Sequence, residues 1–316
     1  MGGMLIAALG SRLTIPEQVY KFIVFILLMK IGLKGGMEIR DANLMELLLP
    51  AFFASLIGLI IVYLGKWTLA RCPGIKPVDA IATAGLFGAV SASTFAAAML
   101  HLDDIGMQYE AWVSALYPFM DIPALVIAIV LGRIASQQSV GDEKNKISKR
   151  KTIGVADVVK DSLQGSALSA LLLGLMLGIF TRPESVYDSF YEPVFRGFLS
   201  ILMIIMGIEA WQRLSEIRRV AQWYAVYAVI APIVHGGIAF GFGVIAHHIS
   251  GFSPGGVVLL AVLAASSSDI SGPPTLRAGL PSANPSAFIG SSTSIGTPIC
   301  IAIGIPFFTQ LAIWVF

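Results

Sequence analysis

Ten stretches of this sequence are apolar enough to cross a lipid bilayer as helices, and this feature limits the fold more than any other. A helix needs about 20 mainly apolar residues to span about 30 Å of hydrocarbon. The stretches lie near residues 2–13, 19–36, 45–69, 78–101, 109–135, 157–180, 194–214, 219–249, 255–279 and 284–316. The first is short, which predicts either that the ordered chain begins inside this helix or that the helix is reentrant. It lacks the basic start and the small-residue cleavage site of a signal peptide.

The composition fits a membrane protein and excludes several classes of soluble protein. Hydrophobic residues make up 56% of the 316 residues and charged residues 13%, against about 45–50% and about 25% in soluble domains. The mean hydropathy is +0.81, so a soluble globule of this chain would lack the charges to cover its surface. Two cysteines exclude a disulfide framework, and four histidines without metalloprotease spacing argue against a metalloenzyme. A net charge of +2 excludes a nucleic-acid binder that relies on phosphate neutralisation.

A polar stretch over residues 136–156 divides the chain into a first half, residues 1–135, and a second half, residues 157–316. We interpret it as a solvated linker, with docking of a partner protein as the alternative. Because lysine and arginine concentrate on the cytoplasmic side of membranes, we place the linker in the cytoplasm, which puts most of the 21 basic residues there. With five spans in each half, both termini then face outward from the plasma (inner) membrane.

The two halves share a weak internal repeat that keeps one register. A single spacing relates the members of three pairs, which are Ser91 and Ser266, Pro123 and Pro298, and Gly32 and Gly207. Single matches among small residues arise by chance, whereas a spacing shared by three landmarks indicates duplication. Because each half has an odd number of spans, the second copy is predicted to lie upside down relative to the first. Inverted repeats of this kind are typical of secondary transporters, which bind substrate near the membrane midplane.

Two spans are interrupted by small polar residues at matching places in the two halves. The fourth span reads GLFGAVSASTFAAAML, and the ninth reads LAVLAASSSDISGPPTLRAGLP. Serine and threonine cap helix starts better than they continue helices, and Pro273 and Pro274 lack backbone donors. Each span is therefore predicted to be two half-helices with non-helical backbone between them. Such backbone is tolerated in a bilayer only where protein buries it or where it lines a polar cavity.

The two predicted breaks meet at mid-depth and combine groups that bind an anion with groups that bind a cation. Half-helix N-termini present N–H groups and partial positive charge to an anion. The predicted anion-binding residues are Ser91, Ala92, Ser93, Thr94, Phe95, Ser271 and Gly272. Hydroxyl, carbonyl and carboxylate oxygens suit Na⁺, and the predicted Na⁺ ligands are Ser266, Ser267, Ser268, Asp269 and Ile270. An acid inside a membrane span is by default a candidate for function.

Other interpretations of these polar residues stay open from the sequence alone. Serines in membrane helices often only pack between close helices. Asp121, in the fifth span, either supports the site or caps a helix break before Pro123. The polar start of the tenth span either completes the site or lies apart from it, and its candidate oxygens belong to Asn284, Ser291, Ser292 and Thr293. Serine together with histidine also suggests an intramembrane protease, but the ten-span repeat argues against an enzyme.

Four long stretches make the chain resemble a known family, the sodium-dependent bicarbonate transporters of cyanobacteria, SbtA. They are the two interrupted spans, YEAWVSALYPFMDIPALV and RGFLSILMIIMGIEAWQR, and the match is colinear over nearly the whole chain. The resemblance implies an all-α membrane protein of ten helices in an inverted five-plus-five repeat, with core and gate domains, in a homotrimer. It also implies elevator-type uptake of bicarbonate coupled to Na⁺, and control by a PII-like protein, SbtB, at the cytoplasmic face. Ser91, Ser93, Thr94 and Phe95 would then lie on the family's first helix break, and Ser266 to Gly272 on the second.

The sequence therefore favours a symporter of Na⁺ and bicarbonate without an organic cofactor. A negative cell interior opposes anion entry by about 2.3 kcal/mol per 100 mV, and one co-transported Na⁺ cancels that penalty. A symporter for a small organic anion, such as a monocarboxylate, is the alternative within transport, although the breaks carry no arginine beside them. An anion channel is the alternative from another class. The basic residues over Lys144–Lys151, with Arg218 and Arg219, are predicted to attract a regulatory partner at the inner face.

Overall fold

The computed structural model describes residues 2–11, 13, 15–41, 44–140, 166–217, 222–269 and 272–316. Every regular element within these residues is helical, which confirms the predicted all-α class. The linker beyond residue 140 lies outside the described residues, as do Arg218, Arg219, Ile270 and Ser271. The helix of the fifth span continues to Val140, past the predicted start of the linker. Residues 136–140 contain no proline or glycine that would stop it.

The helices follow the predicted spans in chain order. In the first half they are α1 (Gly2–Ala8), α2 (Glu17–Asp41), α3 (Leu44–Leu69), α4 (Pro77–Gly88), α5 (Ala92–Asp104) and α6 (Leu116–Val140), with a 3₁₀ turn at Ala111–Ala115. In the second half they are α7 (Ser166–Phe180), α8 (Glu192–Ile217), α9 (Gln222–Ser250), α10 (Pro254–Ala265), α11 (Gly272–Gly279), α12 (Pro285–Ser291) and α13 (Ile305–Val315). Short π-helical and α-helical turns precede α8, at Glu184–Val186 and Tyr187–Tyr191, and join α12 to α13, at Ser292–Gly296, Thr297–Ile299 and Cys300–Gly304.

Five helical stretches among the described residues are long and apolar enough to cross a membrane. They are Glu46–Leu69, Pro77–Asp104, Trp112–Ser136, Gln222–Ser250 and Ala287–Val315. They correspond to the predicted spans three, four, five, eight and ten. A shorter apolar helix, Pro254–Ala265, forms the start of predicted span nine. The chain is therefore a multi-pass membrane protein, while the count of ten spans stays a prediction.

Lys30 shows how α2 carries charges and is still buried. Only 3% of its surface is exposed, and its Nζ lies 3.0 Å from a carboxylate oxygen of Glu192. The same Nζ lies 4.3 Å from the centre of the Phe195 ring. An ion pair and a cation–π contact together offset the desolvation of a buried ammonium group. This contact joins the middle of α2 to the start of α8.

The helices pack in two sets. In the first, α2 packs along α7, and α1 packs along α8, which also contacts α2. In the second, α3, α4 and α6 pack together, α9 packs along α3 and α10, and α11, α12 and α13 join them through α4 and α10. We call α1, α2, α7 and α8 the first helix group, and the remaining helices the second helix group. The 3₁₀ turn at Ala111–Ala115 packs against α2 and is one contact between the groups.

Glycines set the distance between α2 and α7. A Cβ on Gly174 would lie 3.0 Å from Cα of Gly32, and one on Gly178 would lie 2.7 Å from Cα of Gly36. Each helix thus offers two glycines one turn apart, and the backbones touch. Close backbone approach through small residues four positions apart is a common way for membrane helices to associate. The first helix group is therefore held by a contact that tolerates no side chain at these positions.

The two interrupted spans are built alike. Each begins with a half-helix of 12 residues that carries proline at its first turn, α4 with Pro77 and α10 with Pro254. Each half-helix ends where the chain turns into extended backbone, at Ala89 (φ −86°, ψ 164°) and at Ser266 (φ −75°, ψ 172°). Proline suits a first helical turn because its missing N–H has no partner there in any case. The predicted interruption of both spans is confirmed.

A carboxylate ties the start of each of these half-helices to a loop of the other half. Before α10, the backbone N–H and the hydroxyl of Ser253 both donate to the Glu110 carboxylate, at 2.6 and 2.8 Å. In the first turn of α4, Asp79 Oδ1 accepts from the backbone N–H of Asn284 at 2.7 Å. Negative charge at a helix start also interacts favourably with the helix dipole. The half-helices are thereby fixed at their far ends, and their other ends converge at the breaks.

Candidate functional site

The first break, residues 89–91, is held open by side chains of α6. The N–H of Val90 donates to Asp121 Oδ1 at 2.9 Å, and the carbonyl of Val90 accepts from the Tyr117 hydroxyl at 3.1 Å. Both backbone groups of a non-helical residue are thus satisfied inside the protein, as the bilayer requires. Asp121 is fully buried. Because α6 runs without interruption through Pro123, the alternative that Asp121 caps a helix break there is wrong.

Ser91 begins the second half-helix of this span. Its hydroxyl accepts from the backbone N–H of Thr94 at 3.2 Å and from the Thr94 hydroxyl at 3.0 Å, which makes it the N-cap of α5. It also shares a hydrogen bond of 2.9 Å with the Ser93 hydroxyl. A serine at this position satisfies one of the N–H groups that every helix start leaves without a helical partner. Thr94 and Phe95, like Ser91 and Ser93, are buried.

The second break is hydrogen-bonded to the first. The N–H of Ser91 donates to Ser266 Oγ at 3.0 Å, and the N–H of Ser268 donates to the carbonyl of Leu86 at 2.8 Å. On the far side of the break, the Ser268 hydroxyl accepts from the N–H of Gly272 at 2.9 Å, so it stands at the start of α11. The second break therefore supplies an acceptor to the first, and the last turn of α4 supplies one to the second.

Asp269 adds a carboxylate from the second break to this assembly. Its Oδ2 accepts from the Ser93 hydroxyl at 2.9 Å and from the Tyr20 hydroxyl at 3.4 Å. Ser93 belongs to α5 and Tyr20 to α2, so three separate parts of the chain meet at one carboxylate oxygen. A carboxylate beside hydroxyls and a helix start offers hard oxygen ligands next to a partial positive charge.

The tenth span reaches the second break through Ser267. The Ser267 hydroxyl donates to the carbonyl of Ser292 at 3.3 Å and lies 3.4 Å from Thr297 Oγ1. The Ser291 and Ser292 hydroxyls bond carbonyls of their own helix. The Thr293 hydroxyl is buried and has no hydrogen-bond partner among the described residues. The span thus lines the break with oxygens, and Ser292 does so through its carbonyl.

The structure brings most of the candidate residues together. Ser91, Ser93, Ser266, Ser268, Asp269 and Gly272 are linked by the hydrogen bonds given above, and Ala92, Thr94 and Phe95 form the start of α5 beside them. Asn284 lies elsewhere, at the far end of α4 with Asp79. Ile270 and Ser271 lie outside the described residues. Sequence reasoning missed Tyr20 and Tyr117, because nothing in their spans marks them as close to the breaks. It considered the polar start of the tenth span but did not single out Thr297 there.

The chemistry of the site suits small ions. No group of three or more histidine, cysteine or acidic residues suitable for a metal occurs in the part of the chain that the structure describes. One carboxylate with several hydroxyl and carbonyl oxygens is a weaker and harder ligand set, of the type used for Na⁺ in transporters. The start of α5 supplies the N–H groups and dipole that favour an anion. The assembly therefore combines groups that suit a cation with groups that suit an anion.

Comparison with known proteins decides the family. Residues 1–313 match the Na⁺-dependent bicarbonate transporter superfamily. The chain belongs to this superfamily. Because the match covers nearly the whole chain, the resemblance noted in the sequence is confirmed. A search among curated proteins found no match.

Membership of the Na⁺-dependent bicarbonate transporter superfamily fixes the general activity. The protein is a membrane transporter and not an enzyme. The superfamily also supports bicarbonate and Na⁺ as the transported species. At the hydrogen-bonded breaks, the start of α5, several buried hydroxyls and the Asp269 carboxylate converge. This assembly is accordingly the candidate transport site.

Proposed function

We propose that the protein is a symporter that carries Na⁺ and bicarbonate into the cell, with both ions bound where the two breaks meet. In this proposal the anion lies against the start of α5, at Ser91 to Phe95, and against Ser271 and Gly272. Na⁺ is held by oxygens of Ser266 to Ile270. The observation that carries the proposal is the 2.9 Å hydrogen bond between Ser93 and Asp269, which joins the anion side of the site to the cation side. Asp121, Ser292 and Thr293 support the site from α6 and the tenth span.

An inverted repeat of five plus five spans is part of this proposal. Its support is the likeness of the two interrupted spans, which share half-helices of equal length, proline at the same turn and extended ends. Further support comes from the reciprocal ties at Glu110 and Asp79, each of which fixes one half-helix to a loop of the other half. In inverted-repeat transporters the substrate site lies between the repeats, near the midplane. In this proposal the site lies there, because the two interrupted spans are hydrogen-bonded to each other at their breaks.

We further propose that transport follows an elevator-type motion, in which the second helix group carries the site past the first. The division of the packing into two groups is what supports this step. The two groups correspond to the gate and core domains of the resemblance. Assembly as a homotrimer, control by SbtB at the cytoplasmic face, and termini outside with the linker inside complete the proposal. These last features are expectations from the resemblance and from the distribution of basic residues.

Coupling to Na⁺ has an electrical and a chemical reason. Entry of HCO₃⁻ against a negative interior is opposed by about 2.3 kcal/mol per 100 mV. One Na⁺ carried with it makes the transported pair neutral and removes that term. A tenfold inward Na⁺ gradient then contributes about 1.4 kcal/mol, which is a tenfold accumulation of bicarbonate. A single Na⁺ for each bicarbonate is the smallest ratio that gives both effects.

Uptake of radiolabelled bicarbonate into proteoliposomes tests the proposal. We expect uptake with an inward Na⁺ gradient and none when choline replaces Na⁺. Uptake that persists in choline would identify an anion channel. Competition by acetate or formate stronger than by unlabelled bicarbonate would identify a monocarboxylate symporter, and sulfate serves as a larger control anion. Protein-free liposomes under the same gradient give the background from dissolved CO₂.

A further inference from the structure

Tyr20 links the proposed Na⁺ site to the first helix group. It lies in the first turns of α2, and its hydroxyl donates to Asp269 Oδ2 at 3.4 Å. Ser93, which also donates to this oxygen, belongs to the second helix group. The carboxylate oxygen thus accepts from one hydroxyl on each side of the boundary between the groups. The Tyr20 contact is broken whenever the site moves relative to α2.

The position of Tyr20 is fixed by its helix. Beyond Tyr20, the residues of α2 from Ile23 to Leu33 are mostly buried, and Ile23 and Leu33 are each no more than 3% exposed. The glycine contacts with α7 hold the same stretch from the other side. Tyr20 therefore belongs to a helix that is held by its packing and by close backbone contact with α7. Its own side chain is only partly buried. Whether its hydroxyl bonds Asp269 therefore depends on the position of the first helix group relative to Asp269.

Na⁺ and the Tyr20 hydroxyl both interact with the negative charge of the Asp269 carboxylate. A hydroxyl donates more strongly to a carboxylate that bears its full charge than to one neutralised by a cation. Binding of Na⁺ to Asp269 must therefore weaken the Tyr20 hydrogen bond. By thermodynamic reciprocity, the hydrogen bond must weaken Na⁺ binding by the same factor.

We propose that Tyr20 is a positioning residue through which α2 senses Na⁺. With Asp269 free of Na⁺, the Tyr20 hydrogen bond holds the site against α2. With Na⁺ bound, that hold is loosened and the two helix groups separate more readily. The inference rests on the proposed function, because it takes Asp269 as the Na⁺ ligand. It gives Tyr20 a role different from that of a ligand, since a ligand would strengthen Na⁺ binding and Tyr20 weakens it.

The test is Na⁺ binding to the purified protein with Tyr20→Phe. The substitution keeps the ring and removes only the hydroxyl. We expect the Kd for Na⁺, measured by Na⁺-dependent thermal stabilisation in detergent with choline as the balancing cation, to fall about threefold to tenfold. This is less than a full hydrogen bond to a charged group contributes, because the contact is long, at 3.4 Å, and Na⁺ weakens it without abolishing it. Tyr63→Phe is the matched control, because Tyr63 is an exposed tyrosine of α3, and it should leave the Kd unchanged.

A second comparison separates sensing through Asp269 from a general effect on α2. In an Asp269→Asn background, Tyr20→Phe should have no further effect on residual Na⁺ binding, since the pair would then no longer couple. A higher Kd in Tyr20→Phe, an unchanged Kd, or an equal shift in both backgrounds would each overturn the inference while leaving the symporter intact. A wild-type protein that binds no Na⁺ would overturn both.

Discussion

Removing the Asp121 carboxylate should destabilise the first break. Asp121 is fully buried, and its Oδ1 accepts the only N–H of Val90 at 2.9 Å. In Asp121→Ala that N–H loses a charged acceptor inside the bundle, where bulk water does not replace it. Asp121→Asn keeps an oxygen in nearly the same place but removes the charge. Asp121→Ala should therefore destabilise the break most, and the stability of Asp121→Asn should lie between that of Asp121→Ala and that of the wild type.

The size of the effect follows from the kind of hydrogen bond that is lost. A hydrogen bond to a charged group contributes about 1.5–3 kcal/mol, and an unsatisfied buried donor forfeits a similar amount. This corresponds to roughly a tenfold to hundredfold smaller population of molecules with the break intact. Tyr117→Phe offers a milder comparison, because it removes a neutral hydroxyl that donates to the carbonyl of Val90 at 3.1 Å. A neutral hydrogen bond contributes about 1 kcal/mol.

The assay combines thermal stability with transport. We expect Asp121→Ala to lower the midpoint of thermal unfolding in detergent and to reduce Na⁺-driven bicarbonate uptake roughly tenfold or more. Tyr117→Phe should show the same two changes at smaller size. If Asp121→Ala kept the wild-type midpoint and rate, the Val90 hydrogen bond would not hold the break, and the role inferred for Asp121 would be wrong.

Three further substitutions test other parts of the structure. Asp269→Asn should raise the Na⁺ concentration for half-maximal uptake at least tenfold or abolish uptake, while the protein still inserts; unchanged Na⁺ dependence would remove this residue from the site. Gly272→Leu should block bicarbonate uptake, because a Cβ there would lie 2.5 Å from a methyl carbon of Leu86; normal uptake would contradict the packing of the break. Gly178→Leu should separate α2 from α7 and lower thermal stability, whereas Gly197→Leu, with no atom within 4 Å of its Cβ, should not. Equal midpoints for the two would refute the glycine contact.

The breaks could be predicted from sequence because they contradict the composition around them. Serine runs and paired prolines are poor continuations of an apolar helix, so SASTF and SSSDISGPP mark where helices stop. The contact between Ser91 and Ser266 was also predictable in outline, since the shared spacing of the repeat pairs these two residues. Local chemistry was therefore enough to predict where the two spans are interrupted.

The partners of the breaks could not be predicted in this way. Tyr20 and Tyr117 lie in ordinary helical sequence, and they reach the breaks only because whole helices pack at particular rotations. A tyrosine at one end of a membrane helix equally suits the lipid interface. Asn284 was expected at the site because its neighbours in the sequence are polar like those of the breaks. Its backbone N–H instead donates to Asp79 at the far end of α4.

The proposed site also implies an order of binding. Asp269 Oδ2 lies 2.9 Å from the Ser93 hydroxyl, at the start of the helix that would hold the anion. A bicarbonate bound there would meet a second negative charge a few ångströms away. Two like charges about 4 Å apart repel by about 4 kcal/mol at an effective dielectric constant near 20.

That repulsion exceeds what one hydrogen bond to the anion would return, so the empty site disfavours bicarbonate. Na⁺ on Asp269 removes the repulsion and adds an attraction, which makes cation binding the condition for anion binding. Coupling would then need no conformational change at the site itself, because the Asp269 carboxylate makes Na⁺ bind before bicarbonate. The prediction is that bicarbonate binding to the purified wild type is undetectable in choline and appears with Na⁺. In Asp269→Asn, by contrast, weak bicarbonate binding should persist without Na⁺. If Asp269→Asn instead lost all bicarbonate binding, the carboxylate would have to contact the anion through a bound cation or proton, and the order would not follow from repulsion.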